Sequence, residues 1–337
     1  MKAFFDKAWQ RSQPKAVTDR AAGHRRRGFC LCCLAAPGFA ATAWLTPREA
    51  YAQARDIVDT IKDAAARAPI TIHSLRGNIS VLEGSGGNVA VLGGADGKLM
   101  VDAGIGVSRP QMSGALQEIG REPVVQLINT HWHFDHADGN DWLHAAGARI
   151  LAQQNTARHL AIVQRVEDWD FDFPAAPPGG LPTETFIEQH RLRHNGQTLE
   201  LKHYGPAHTD SDISVRFAEA DVLHVADTFW DGVYPFIDYS TGGSIDGMIR
   251  AAAANVAATT ESSIIIGGHG KPVGSRAELR EFSDMLVAIR GRVAALKARG
   301  MSREEAVAAR PTAAFDAQWG GFVIGPAFFT RLVYAGV

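Results

Sequence analysis

The heptapeptide Thr130-His131-Trp132-His133-Phe134-Asp135-His136 places three histidines and an aspartate within six residues, and that spacing restricts the fold to one that can turn those side chains onto a metal. Side chains at i, i+2 and i+4 of an extended segment project to one face. His131, His133 and Asp135 therefore converge, and His136 joins them only where the chain bends. A loop leaving a strand supplies that bend. Neutral imidazole and carboxylate are the usual non-sulfur ligands of zinc, and they also serve iron or manganese. Histidines clustered this way would serve an apolar core poorly.

Thiolate ligands are excluded by position. Cys30, Cys32 and Cys33 are the only cysteines, and all lie in an N-terminal stretch that reads as an address. Arg25-Arg26-Arg27-Gly28-Phe29-Cys30-Leu31 carries paired arginines ahead of an apolar residue at the twin-arginine spacing. The apolar run that follows is broken by Pro37, Gly38 and Thr42, too short for a span of about 20 residues. Ala50-Tyr51-Ala52 then offers a small-x-small cleavage site, with Ala54 as the nearby alternative. Residues 1–52 are expected to be a twin-arginine signal peptide, which engages the twin-arginine translocase and delivers residues 53–337 to the periplasm or beyond. The exported protein would have no cysteine, hence no disulfide, and any metal site must be built from His, Asp and Glu. Removal of the leader moves the net charge from −2 to about −8, which argues against nucleic acid as a partner.

From residue 70 the chain reads as short strands punctuated by glycine, over 70–75, 78–82, 88–92 and 98–101. A helix over 108–119 and an apolar strand over 124–128 lead into the metal motif. Helices over 138–146 and 155–166 then alternate with strands over 149–152, 198–203, 213–217 and 222–226. A helix over 244–257, a strand over 264–266 and a long helix over 275–299 complete the pattern. Two β-rich halves, each with helices, predict an α+β protein in which two sheets pack face to face under helical cover, a four-layer sandwich. The Pro/Gly-rich segment 168–184, with Trp169, Phe171 and Phe173, is long for a compact connection and suggests a lid.

Three further candidates stand at or just after strand ends: His208 in Gly205-Pro206-Ala207-His208-Thr209-Asp210, Asp227 after the strand over 222–226, and His269 in Gly267-Gly268-His269-Gly270. Tight turns after strands place such residues on one rim, and the glycines permit close backbone approach. His224 shares strand parity with Val222 and Ala226, opposite to Asp227, and reads as structural, as do His144 and His203. Lys271 reads equally as a partner for a substrate carboxylate and as a solvated loop residue.

The ordered set His-x-His-x-Asp-His, His, Asp and Gly-His-Gly, over about residues 70 to 272, resembles the metallo-β-lactamase superfamily. The resemblance implies an αββα sandwich of two mixed sheets and a dinuclear zinc centre, with iron or manganese as alternatives. His131, His133 and His208 would bind one metal, Asp135, His136 and His269 the second, and Asp227 would bridge both. It implies hydrolysis of an ester, amide, lactone or thioester in a small-molecule substrate, with Asp135 as the catalytic residue that orients the nucleophile and shuttles its proton. Asp102 and Asp138 would accept hydrogen bonds from ligand imidazoles. A bridging aspartate points to the general hydrolase branch rather than to dedicated β-lactamases, and admits only weak β-lactamase activity. Quorum-signal lactonases carry a tyrosine three residues after that aspartate, where this chain has Trp230. Two other readings of the same residues are an iron-dependent oxidoreductase resembling sulfur dioxygenases and a non-catalytic periplasmic metal-binding accessory protein.

Overall fold

The computed structural model describes residues 47–337; the twin-arginine motif lies outside them. The first helix, α1 (Pro47–Arg67), contains Ala52 and Ala54. Its Val58 is buried in the same apolar cluster as Trp132, and Lys62 Nζ lies 5.6 Å from the centre of the Phe134 ring. The helix thus lies across the metal motif.

Strands β1 (Thr71–Ser74), β2 (Ile79–Glu83), β3 (Val89–Leu92) and β4 (Lys98–Val101) form an antiparallel meander. The chain crosses through α2 (Arg109–Ile119) to add β5 (Val124–Asn129), β6 (Arg149–Gln153) and β9 (Glu184–Phe186) in parallel. Period-2 alternation decides the packing of this sheet. Ala90, Leu92, Leu99 and Val101 face inward, while Val89, Val91 and Met100 pack against Met112, Ala115 and Leu116 of α2.

The second sheet runs β10 (Gln189–His194), β11 (Gln197–His203), β12 (Ile213–Phe217), β13 (Val222–Asp231) and β14 (Ile264–Gly270), with only the last pairing parallel. Leu199, Leu201, Val215 and Phe217 meet the inner face of the first sheet. On the outer face, Leu223, Val225 and Ile265 are covered by α6 (Ile245–Ala257) and α7 (Arg276–Ala298). This is the expected four-layer sandwich of two mixed sheets.

Several local expectations need correction. The helix expected over 138–146 is slightly shorter, α4 (Asn140–Ala145), and a separate helical turn that was not expected, α3 (Phe134–Ala137), forms within the metal motif. The helix expected over 155–166 stops as α5 (Gln154–Leu160), and β7 (Gln164–Val166) follows. β7 pairs with β8 (Phe171–Phe173), so the aromatic segment is a small hairpin packed on the motif. Phe173 stacks on Phe134 at 5.2 Å. β13 runs five residues and β14 four past their expected ends, because β13 absorbs its irregularity in a bulge and the glycines of β14 continue the ladder to the pairs Trp230↔His269 and Asp231↔Gly270.

Candidate metal centre

Asp102 follows β4 with a φ of +67°, a left-handed conformation that aspartate tolerates better than most residues. Its carboxylate accepts from Thr130 N and Thr130 Oγ1, each at 2.7 Å, and from His136 Nδ1 at 2.8 Å. The loop leaving β5 is fixed at its first residue. The helical turn of α3 begins at Phe134, one residue earlier than a convergence of His131, His133 and Asp135 requires. Asp135 and His136 consequently turn together to the other side.

All seven candidate residues meet, in two groups: His131, His133, His208 and Asp227 in one, and Asp135, His136 and His269 in the other. Within each group one donor atom per residue lies within 4.8 Å of the others. Asp227 reaches across both. Its Oδ2 is 3.3 Å from His208 Nε2 and 3.4 Å from His269 Nε2, and its Oδ1 is 3.1 Å from His136 Nε2. Asp135 Oδ2 lies 3.2 Å from His269 Nε2.

Close backbone packing builds the walls. A Cβ on Gly87 would stand 2.1 Å from His136 Cε1, and one on Gly268 would stand 1.9 Å from Asp227 Oδ1. Gly86, at φ +88°, packs against Asp135. The glycine turn between β2 and β3 is therefore part of the site as well as a hairpin.

The donor set fits cations. His133 Nε2 lies 3.0 Å from the Asp238 carboxylate and His208 Nδ1 donates to Phe236 O at 2.8 Å, which leaves the lone pairs of His133 Nδ1 and His208 Nε2 facing each other at 2.9 Å. A metal ion held by both side chains would take these lone pairs. His131 Nε2 is buried without a hydrogen-bond partner, an orphan that a metal would satisfy.

Electrostatics divide along the same line. Burial pushes His131 well below its ordinary range and His208 down to about 4, keeping both imidazoles in the neutral form that binds metal. For His269 and His136 burial opposes the proton, but Asp227 and Asp135 overcome it. His269 rises to about 9 and His136 well above its usual value. Burial likewise opposes ionisation of Asp135 and Asp227, and the surrounding histidines win, taking Asp135 to about 2 and Asp227 well below the carboxylate range. Without metal, the same carboxylates favour protons on His136 and His269.

Sequence reasoning missed two carboxylates. Asp238 holds His133, and Asp212 accepts from Thr209 N at 2.8 Å and Thr209 Oγ1 at 2.9 Å, fixing the turn that carries His208. Burial raises Asp212 to about 8. An Asp-x-x-Thr run (Asp238, Thr241) and a Thr-x-x-Asp run (Thr209, Asp212) were the available signals, both common in ordinary turns. Asp102 contacts His136 as expected, whereas Asp138 accepts from Gly106 N and is not bound to an imidazole.

His224 lies outside both groups. It is buried, with Nε2 3.1 Å from Asn88 O. The parity argument that separated it from Asp227 fails, however. Ala226 has a φ of +42° and the register shifts on both sides of it, so this bulge, rather than simple alternation, swings Asp227 into the site. Lys271 pairs with Glu278 at 2.5 Å. The Tyr234 hydroxyl donates to Asp316 Oδ1 at 3.0 Å, away from the site. Trp230 packs against His269 with ring centres 4.2 Å apart, and Phe322 joins both rings. An opening beside His269 is lined by Glu83, Gly86, Asn88, Val233, Gly270 and Phe322.

The sequence matches the family model described as the metallo-beta-lactamase superfamily over residues 82–269. Among solved structures, DIM-1 metallo-beta-lactamase aligns with a TM-score of 0.52 at 20% identity, covering 65% of this chain and 97% of its own. A metallo-beta-lactamase from Pontibacter korlensis gives 0.52 at 16%, covering 65% and 99%. The sec-alkylsulfatase Pisa1 from Pseudomonas sp. gives 0.58 at 16%, covering 85% of this chain. The present chain spans 54% of that alkylsulfatase. These likenesses are of fold, and they agree with the two mixed sheets described above. With more than half its length inside the family match, this chain belongs to the metallo-beta-lactamase superfamily.

Proposed function

We propose that the protein is an exported hydrolase that works with two zinc ions and cleaves an ester, amide, lactone or thioester in a small molecule. The observation that carries this reading is the seven-residue donor set, buried at every member but Asp135 and divided into two groups that share Asp227. Cations bound there supply Lewis acidity, acidifying water and polarising the scissile carbonyl. His131, His133 and His208 would hold one, and Asp135, His136 and His269 the other.

The chain's own groups divide the remaining work. Asp135 is the candidate catalytic residue. Its carboxylate is the most exposed of the set, with 14% of its side-chain surface accessible, and His136 and His269 keep it ionised. It is placed to orient the attacking water and take its proton. Asp227 keeps the two histidine groups in register. Trp230 and Phe322 give the approach past His269 an apolar wall, which suits an uncharged portion of the substrate.

Metal analysis of protein purified without added metal, combined with a panel of chromogenic esters, lactones and a cephalosporin, tests the reading. Two zincs with turnover on the panel support it, and weak cephalosporin cleavage beside stronger ester or lactone cleavage fits the general hydrolase branch. One iron with oxygen uptake supports the oxidoreductase instead, and bound metal without turnover the accessory protein. Export is tested separately: changing Arg25 and Arg26 to Lys is expected to retain the protein in the cytoplasm, and unchanged fractionation contradicts the twin-arginine route.

A further inference from the structure

Residues 234–241 form a strap that touches two of the three histidines of one half of the centre. Asp238, fully buried, presents Oδ2 to His133 Nε2 at 3.0 Å and accepts from Thr241 Oγ1 at 2.5 Å, while its Oδ1 accepts from Ser240 N at 2.9 Å. Two residues earlier, Phe236 O takes the Nδ1 proton of His208. The backbone is tied as well. Asp238 N donates to His208 O at 2.9 Å, and Trp132 Nε1, between the first two histidines, donates to Thr241 Oγ1 at 3.1 Å.

The strap takes its own support from two C-terminal helices, Asp316–Trp319 and Pro326–Ala335, beyond residue 269 where the family match ends. Tyr234 N donates to Trp319 O at 2.9 Å, its hydroxyl reaches Asp316, and its ring stacks on Phe329 at 4.8 Å. Phe236 also lies 6.2 Å from Phe328. Among the described residues, the side-chain contacts of Asp135, His136 and His269 with polar groups run to Asp102, to Asp227 and to one another, not to this strap.

We propose that Asp238 is a positioning residue for His133, and that through it the strap and the C-terminal helices set the His131/His133/His208 half of the centre independently of the other half. The proposal rests on the metal-dependent reading above. An imidazole that gives its Nε2 proton to a carboxylate is held in one tautomer and one orientation, and Nδ1 is then the atom that faces the site. Loss of such a partner typically weakens metal binding about 10- to 100-fold.

The experiment is zinc titration against a competing chelator, with natural-abundance or labelled ¹⁵N spectra of the metal-free histidines, on wild type, Asp238→Ala, Asp238→Asn, Thr241→Val and Asp102→Asn. Asp238→Ala is expected to keep one zinc at wild-type affinity and bind the other about 10- to 100-fold more weakly, with loss of the His133 Nε2–H signature. Asp238→Asn, which preserves shape, gives the same one-sided loss in smaller degree. Asp102→Asn weakens the opposite site. Thr241→Val removes a second bond to the same carboxylate oxygen and gives a smaller loss at the same zinc, leaving the other unchanged. Equal weakening of both zincs by Asp238→Ala, no weakening of either, or a loss confined to the Asp135/His136/His269 zinc from Thr241→Val overturns the proposal. The two readings fail separately. Wild type that takes up no zinc contradicts the metal-dependent function, while the His133 tautomer in the metal-free protein still decides whether Asp238 acts on it.

Discussion

His136 and His208 approach Asp227 from opposite sides, and each is held by different structure. His136 sits on a helical turn, bonded to Asp102 at the end of β4, with Gly87 against its ring. These supports lie inside the family match. His208 sits on a turn fixed by Asp212 and by a strap anchored in helices that follow the match. Close backbone packing braces both halves, through Gly87 at the His136 ring and through Gly243 at the His208 carbonyl. The His208 half also depends on hydrogen bonds relayed from distant chain, so it is the half that loosening the C-terminal helices should weaken.

The largest effect should come from the residue common to both. Asp227→Ala is expected to release metal from both groups and lower hydrolysis by about a thousandfold or more. Retention of one tightly bound metal in that variant would break the symmetry inferred for Asp227. Asp135→Asn should lower kcat about 100- to 10,000-fold, the usual worth of a positioned proton-transfer group, while His224→Gln, outside both groups, costs less than about tenfold. Equal losses in a steady-state comparison would contradict the assignment.

Backbone packing at single glycines comes next. Gly87→Ala forces a methyl against the His136 imidazole and should destabilise the fold by about 1–3 kcal/mol, with metal lost first from the Asp135 group. Gly205→Ala, near His208, meets nothing within 4 Å but carries a φ of +71°. It should cost about 1 kcal/mol of backbone strain and leave metal stoichiometry unchanged. Thermal melts with metal analysis distinguish the two.

The smallest effect concerns the end of the strand that carries Asp227. Burial, reinforced by Glu278, raises Asp231 from 3.8 to about 7. Between those values the folded chain holds a proton that the unfolded chain has released, so stability falls as pH rises through the window. Asp231→Asn should therefore raise Tm more at pH 8 than at pH 5. A gain that is equal at both values contradicts the assignment.

Much of this was legible in the chain because strand alternation and turn glycines are local signals. The layers, the long helix α7 and the seven-residue set all rest on them. The sequence could not show what depends on distant contact. Asp238 is an unremarkable turn aspartate until folding places it against His133, more than a hundred residues earlier. Asp227 was reached from its place at a strand end, while the parity argument that set His224 apart from it is defeated by the bulge at Ala226. Asp138 resembled a partner for imidazole, yet a backbone amide at Gly106 lies closer. β10 was overlooked because His190, Arg191, Arg193 and His194 leave little apolar alternation on an edge strand.

Anomalous scattering at the zinc edge, from crystals of the exported form grown with zinc, tests the divided centre most directly. The expected result is two peaks, one among His131, His133 and His208 and the other among Asp135, His136 and His269, with the Asp227 carboxylate between them. A single peak, or none within reach of these side chains, would contradict it.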